Sequence, residues 1–328
     1  MTPFSIAFLP LTDAAIPVAA RMGGFAEDEG LDLNLVRATS WATARDRLVY
    51  GQVEAAHMLG PLAVAVTLGL SQQPARLAAP FRLSMNGNTL TLSPELAAAL
   101  DPDPANRVGD PVATAHDFAS AIGLHRRKPI IGVVHRFSSH ALTLRYWLGS
   151  VGVNPDKDLT LRVLPPSLMV EALRAGEIDG FMAGEPWGGL AVSEGLGEIV
   201  ALGPSLWRNS VEKVLAVRDA WAGTNPDTLV RLVRALDRAA AWCDDVANHH
   251  ALSLMLSRPE FLDQPAELIR SGLSGSLRLT PAGTTVDLPD FMILHRDGAN
   301  APSPAHGLWL HSQFVRGGMV EPSDEAAA

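Results

Sequence analysis

The sequence predicts an α/β protein of two related lobes, each built on a mainly parallel sheet wound on both faces. Three observations carry this. Short apolar runs alternate with amphipathic helical patterns from the first residues onward, and the same alternation returns in the middle of the chain. Leu48, Gly51, Val53, Glu54 and Pro61 recur as Leu173, Gly176, Ile178, Asp179 and Pro186, each 125 positions further on. At 328 residues, 47% hydrophobic and 19% charged, the chain is long enough for two cores of ordinary size.

The elements follow in order. Ser5 to Leu9 reads as a strand, an amphipathic helix runs into Gly23-Gly24, and Leu31 to Val36 reads as a second strand. A helix is expected over Trp41 to Tyr50 with Ser40 as its cap, then a buried strand Ala55 to Leu59 and a helix Pro61 to Leu70. The repeat gives a strand Ile130 to Val134, a helix Ser139 to Leu148 capped by Ser139, a strand Leu159 to Leu164, a helix Ser167 to Ala175 and a strand Ile178 to Ala183. In both copies a glycine ends a helix ahead of an acidic residue and a buried strand. Phe81 to Leu92 suits an extended crossing between lobes, and Pro94 to Pro111, with Asp101-Pro-Asp-Pro104 at its centre, reads as a loop. The chain returns to the first lobe near Lys213 to Val217, and Asp227 to Ala247 is the longest helix, followed by a looser region and a mobile tail, Ser323 to Ala328. The expected division is 1–84 with 211–328 for lobe I and 85–210 for lobe II.

Composition excludes several classes. A formal charge of -9 disfavours direct nucleic-acid binding, which needs clustered lysine and arginine; the one basic run, His125 to Lys128, reads as a solvated loop. No window has the length of apolar chain that a membrane span needs, and no basic leader with an apolar run precedes the first strand, so a cytoplasmic protein is expected. The single cysteine, Cys243, sits in a helical pattern and leaves no disulfide framework or thiolate cluster. There is no Gly-rich phosphate loop, no His-Glu-x-x-His zinc helix and no Gly-x-Ser-x-Gly elbow, and Glu185 has no nucleophile or metal motif beside it. A binding protein rather than an enzyme is expected, with no cofactor and no catalytic residue.

Seven segments together resemble a known family. They are Phe-Leu-Pro-Leu-Thr-Asp (8–13), Ser-Trp-Ala-x-x-Arg-Asp (40–46), Ala-His-Met-Leu-x-Pro (56–61), Asn-Gly (86–87), Ser-Ser-His-x-Leu-x-Leu-Arg-Tyr-Trp-Leu (138–148), Gly-Glu-Pro-Trp (184–187) and Glu-Lys-Val-Leu (212–215). The sequence resembles the nitrate-binding receptors of ABC transporters (NrtA-like) and their bicarbonate- and sulfonate-binding relatives, and within them it looks most like the NasS-type cytoplasmic nitrate/nitrite sensors. The resemblance implies a periplasmic-binding-protein-like type II fold with a ligand cleft at the hinge. It also implies nitrate or nitrite as ligand, and an RNA-binding antiterminator of the NasT type as partner, held until the anion arrives. Two alternatives stay open: an exported transport receptor and an organic-anion (sulfonate) receptor.

The resemblance supplies five ligand residues: Trp41, Asn88, His140, Gly184 and Lys213. Asn88 stands where the nitrate receptors carry glutamine, one methylene longer. The chemistry suits a small planar monoanion, because Trp41 donates an indole N–H, Asn88 an amide, His140 a ring N–H, Gly184 a backbone N–H, and Lys213 the compensating charge. Charged hydrogen bonds contribute about 1.5–3 kcal/mol each, so four or five imperfect ones support a dissociation constant of about 1 μM after desolvation and ordering. Helix starts at Trp41 and beside His140 add partial positive charge. Each residue alone also has an ordinary reading, Trp41 and His140 as packing or polar contacts and Lys213 as a surface charge. His57, Trp147, Trp187 and Trp207 read as packing residues. A lysine here repels the calcium ion that the bicarbonate receptors hold near this position, so the resemblance favours nitrate or nitrite.

Overall fold

The computed structural model describes residues 1–71, 73–124 and 127–323. Its strands, in chain order, are β1 (Thr2–Phe8), β2 (Leu31–Arg37), β3 (Ala55–Leu59), β4 (Leu77–Asn86), β5 (Asn88–Leu92), β6 (Ile130–Val133), β7 (Thr160–Val163), β8 (Gly180–Gly184), β9 (Glu198–Leu202), β10 (Val211–Arg218), β11 (Ser276–Arg278), β12 (Thr285–Asp287) and β13 (Met292–Ile293). The chain divides into two compact units, one of residues 1–85, 211–266 and 293–328, the other of residues 86–210 and 267–292.

The first unit carries a six-stranded sheet in the order β13-β4-β10-β3-β1-β2. β1 pairs in parallel with β2 and β3, while β10 is antiparallel to both β3 and β4. All five residues of β3 are buried, His57 among its otherwise apolar side chains, as expected of a central strand covered on both faces. Helices Ala15–Met22, Trp41–Val49, Gly60–Thr67, Pro226–Asp244 and Pro304–Arg316 belong to this unit. The long helix begins with Pro at its first position and buries Leu232, Ala235, Leu236, Ala239, Ala240 and Cys243, a three-four spacing along one face. Burial pushes the Cys243 thiol well above its usual range, so it stays an inert core group.

The second unit carries a five-stranded sheet, β7-β6-β8-β5-β9, and the small pair β11-β12. β6 is parallel to β7 and β8, and β5 is antiparallel to β8 and β9. The order therefore repeats: three parallel strands, 2-1-3 and 7-6-8, each followed by an antiparallel one. β8 (180–184) lies 125 residues after β3 (55–59), the offset read from the sequence, and Gly51 and Gly176 both end their helices at positive φ, 71° and 67°. Its core joins Leu90, Phe118, Ile131, Val133, Leu144 and Met182 with Trp147, which stacks on Phe118 and donates its indole N–H to Pro111 O at 2.6 Å.

Four expectations are corrected. Residues 267–292 belong to the second unit rather than lobe I, because Leu279 O accepts from Ile199 N at 2.8 Å and Phe291 O from Gly87 N at 2.7 Å. The expected loop 94–111 holds helices Pro94–Ala97 and Pro104–Gly109, with Pro111–Leu124 directly after them; each starts on a proline. Asp103 Oδ1 accepts from Ala105 N, and Asp110 Oδ1 from Val112 N and Ala113 N, so these acids satisfy the open N–H groups of helix starts. The cap of helix Ser139–Gly149 is Ser138, whose Oγ accepts from Ala141 N at 3.1 Å, and not Ser139. The region after the long helix, read as loose, contains helices His249–Leu256, Ala266–Ser274 and Pro304–Arg316. His125 and Arg126 of the basic run, and the expected tail from 324 on, lie outside the described residues; Arg127 makes two 2.7 Å bonds to Asp179.

Candidate functional site

In the first unit, residues distant in sequence meet beyond the C-terminal ends of the parallel strands, where α/β sheets bind ligands. Asp13 follows β1, Trp41 opens the helix after β2, His57 lies within β3, and Glu212 and Lys213 lie on β10. Ser40 caps the Trp41 helix by accepting from Thr43 N at 3.1 Å. Antiparallel pairing sets Lys213 opposite Leu59 and Leu215 opposite His57, which brings together segments more than 150 positions apart in sequence.

The Lys213 ammonium is fully buried. It lies 2.7 Å from Asp13 Oδ2, 2.6 Å from Glu212 Oε1 and 5.3 Å from the centre of the Trp41 ring. His57 Nε2 stands 3.0 Å from Asp13 Oδ1, and its ring centre is 5.6 Å from that of Trp41. Burial alone raises the Asp13 pKa, but Lys213 and His57 outweigh it and hold the carboxyl well below its usual range. For Lys213 burial acts to lower the pKa, and Asp13 with Glu212 reverse that and raise it. The lysine is thus charged and already compensated by two carboxylates. The ammonium, expected from the sequence to compensate an anion, therefore also balances Asp13 and Glu212. His57, expected to be packing, belongs to this cluster. The Trp41 indole Nε1 is buried without a hydrogen-bond partner among the described residues, as is Thr12 Oγ1, next in sequence to Asp13.

The second unit assembles the other three residues. Asn88 opens β5 and faces Gly184 at the end of β8, and His140 Nε2 is 2.8 Å from Asn88 Oδ1. With the amide oxygen as acceptor the imidazole donates through Nε2, so His140 orients the Asn88 amide and both side chains are held in place. Glu185 N donates to Gly87 O, and alternation along an antiparallel pair then makes Asn88 and Gly184 a pair without mutual backbone bonds. The Gly184 N–H points to the side of β6, whose last registered pair is Val133 with Met182, short of Gly184. Glu185 is buried next to them; its Oε1 accepts from Thr89 Oγ1 and its Oε2 from Gly189 N, each at 2.9 Å. Burial raises its pKa against those two bonds. Its oxygens are engaged in holding strand to helix, which gives it a structural role.

The five predicted residues therefore fall into two sets, Trp41 with Lys213 in one unit, and Asn88, His140 and Gly184 in the other. Sequence reasoning missed Asp13, His57 and Glu212 as site residues. Asp13 ends the first matching segment and Glu212 directly precedes Lys213, so both stood inside the quoted motifs; that a carboxylate pair brackets the lysine becomes evident only when β10 is laid against β3.

Two units with this strand order and helices on both sides of each sheet define a type II periplasmic-binding-protein fold. Residues 1–257 match the profile of the NMT1-like family, and the chain belongs to that family. The periplasmic nitrate-binding protein NrtA from Synechocystis PCC 6803 has a similar crystal structure, at 27% identity and a TM-score of 0.89, covering 100% of this chain and 84% of that one. The chain is also 34% identical, over 96% of its length, to the nitrate import ATP-binding protein NrtC of Synechocystis sp. and to the bicarbonate transport ATP-binding protein CmpC of Synechococcus elongatus. It spans about half the length of these two relatives, 46% and 45%.

Proposed function

We propose that the chain binds nitrate or nitrite, with the anion seated on the Trp41 indole N–H beside Lys213. The observation that carries this is the Trp41 indole N–H, buried and without a partner among the described residues, beside a buried ammonium. A buried donor left unpaired costs about 1–3 kcal/mol, which an anion seated against it offsets. The likeness of the whole chain to a nitrate-binding protein supports the choice of ligand. The ammonium already compensated by Asp13 and Glu212 fits a weakly basic, singly charged anion better than a doubly charged one, since the cluster offers oriented donors rather than surplus positive charge. Calorimetric titration with nitrate, nitrite, bicarbonate and taurine tests the reading: saturation by nitrate or nitrite near 1 μM is expected, and saturation by taurine alone overturns it.

Bicarbonate is the second reading. Its hydroxyl needs an acceptor, which the Asp13 or Glu212 carboxylate can supply, and the likeness to CmpC favours it. Against it, the Lys213 ammonium fills the position between the two carboxylates that a metal cation would take. In the same titration, bicarbonate saturating where nitrate does not selects this reading.

For the use made of binding we propose sensing in the cytoplasm, with an RNA-binding antiterminator of the NasT type held by the free protein and released by the anion. The resemblance of the seven sequence segments supports this, while the names of the relatives support delivery of the anion to an ABC transporter. Copurification of the antiterminator without nitrate and its loss with nitrate tests sensing; retention of a membrane permease instead selects transport.

A further inference from the structure

The first unit contains a hollow away from the Trp41–Lys213 cluster that the proposed function leaves unused. It has a volume of about 420 Å³ between helices Gly60–Thr67 and Pro304–Arg316 and strands β4 and β10, and it continues into a second hollow of about 310 Å³ that shares Ala63, Val64, Ala79, Pro304 and Gly307 with it. Its walls are apolar, and small residues keep it open where a close-packed core would be filled. Gly307 lines both parts, and a Cβ added there meets no atom within 4 Å.

The hollow has one strong polar group. Arg82, on β4, is only 8% exposed and lines the larger part beside His306. Its guanidinium donates to Gly298 O at 2.6 Å and lies 3.3 Å from His306 Nδ1 and 3.8 Å from Met85 Sδ, all uncharged acceptors, while its Nε has no partner. No carboxylate pairs with it among the described residues. Burial and the neighbouring guanidinium lower the His306 pKa, which leaves that ring neutral and adds no charge of its own at neutral pH. A guanidinium stays charged in proteins, and one buried without a counter-ion is costly unless an anion joins it.

We propose that this hollow is a binding site for an amphiphilic monoanion, a medium-chain aliphatic carboxylate whose head pairs with Arg82 and whose chain lies along Ala63, Val64 and Pro304. The size and mostly apolar walls with a single charged group are those of a small-molecule site, and the unpaired cation at one end selects the sign of the head group. The site is independent of the nitrate reading and survives its failure.

Titrating the full chain with hexanoate, octanoate and octanol tests it, alongside Gly307→Leu, which fills the hollow, and Arg82→Met, which removes the charge. The affinity is expected to rise about fourfold for each added methylene, the ratio that corresponds to burying one such group. Octanol should bind at least tenfold more weakly than octanoate, Arg82→Met should erase that difference, and Gly307→Leu should abolish binding while keeping the wild-type circular-dichroism spectrum and melting temperature. Failure of octanoate to saturate, equal binding of octanol and octanoate, or unchanged octanoate binding by Gly307→Leu would overturn the proposal.

Discussion

At the scale of single residues, the buried Asp13–Lys213–Glu212 triad sets the charge balance at the centre of the first unit. Removing the lysine leaves two buried carboxylates uncompensated, so Lys213→Ala is expected to lower the unfolding free energy by about 3–5 kcal/mol in urea titration. The pH dependence follows from the two shifts. The depressed Asp13 pKa contributes stability that is present above the unfolded carboxyl value, about 4, and lost as pH falls through the folded value; the raised Lys213 pKa contributes stability that is present below about 10.4 and lost as pH rises through its folded value. The stability difference between wild type and Asp13→Asn should therefore be level from about pH 5 to 9 and shrink below about pH 4; a difference that grows on acidification contradicts this assignment. Trp41→Phe keeps a ring beside Lys213 and deletes the N–H, and should weaken nitrate about tenfold in calorimetry, about 1.4 kcal/mol. The candidate residues were legible because each stood in a motif with a distinctive neighbour, such as Ser40 before Trp41 or Glu212 before Lys213. That the Lys213 charge is already balanced was not, since one partner, Asp13, lies two hundred residues earlier and meets it only in the folded chain.

At the scale of elements, the junction of β5, β8 and helix Trp187–Ser193 is held by one buried carboxylate. Glu185 accepts from Thr89 on β5 and from the Gly189 N–H of the helix. Gly188 permits this approach, because a Cβ there would overlap Thr89 Oγ1 and come within 2.6 Å of Glu185 Oε1. Gly188→Ala is expected to destabilise by about 1–3 kcal/mol in chemical unfolding, the range for overpacking a filled site. Elements with a clear period were readable from the sequence: β3 over Ala55–Leu59, the Trp41 helix with its serine cap, and the repeat that places β8. The helices in 94–124 were not, because Asp-Pro pairs read as turn signals. In the structure two such pairs, Asp103-Pro104 and Asp110-Pro111, are helix starts, with aspartate as cap and proline at the first position, where a missing N–H costs nothing. The residues 267–292 were assigned to the wrong unit for a related reason: their attachment to Ile199 and Gly87 is through backbone bonds, which leave no trace in side-chain pattern.

At the scale of the whole molecule, the two units repeat one strand order and each carries part of the donor set named from the sequence. The first offers an indole N–H beside a compensated ammonium, and the second an amide held by an imidazole and a backbone N–H at a strand end. The central claim is that nitrate seats on the Trp41 indole N–H, and calorimetric titration of nitrate into wild type and Trp41→Phe tests it most directly. The account predicts one anion per chain and about tenfold weakening by Trp41→Phe, whereas a Trp41→Phe variant that binds nitrate as tightly as wild type would contradict it.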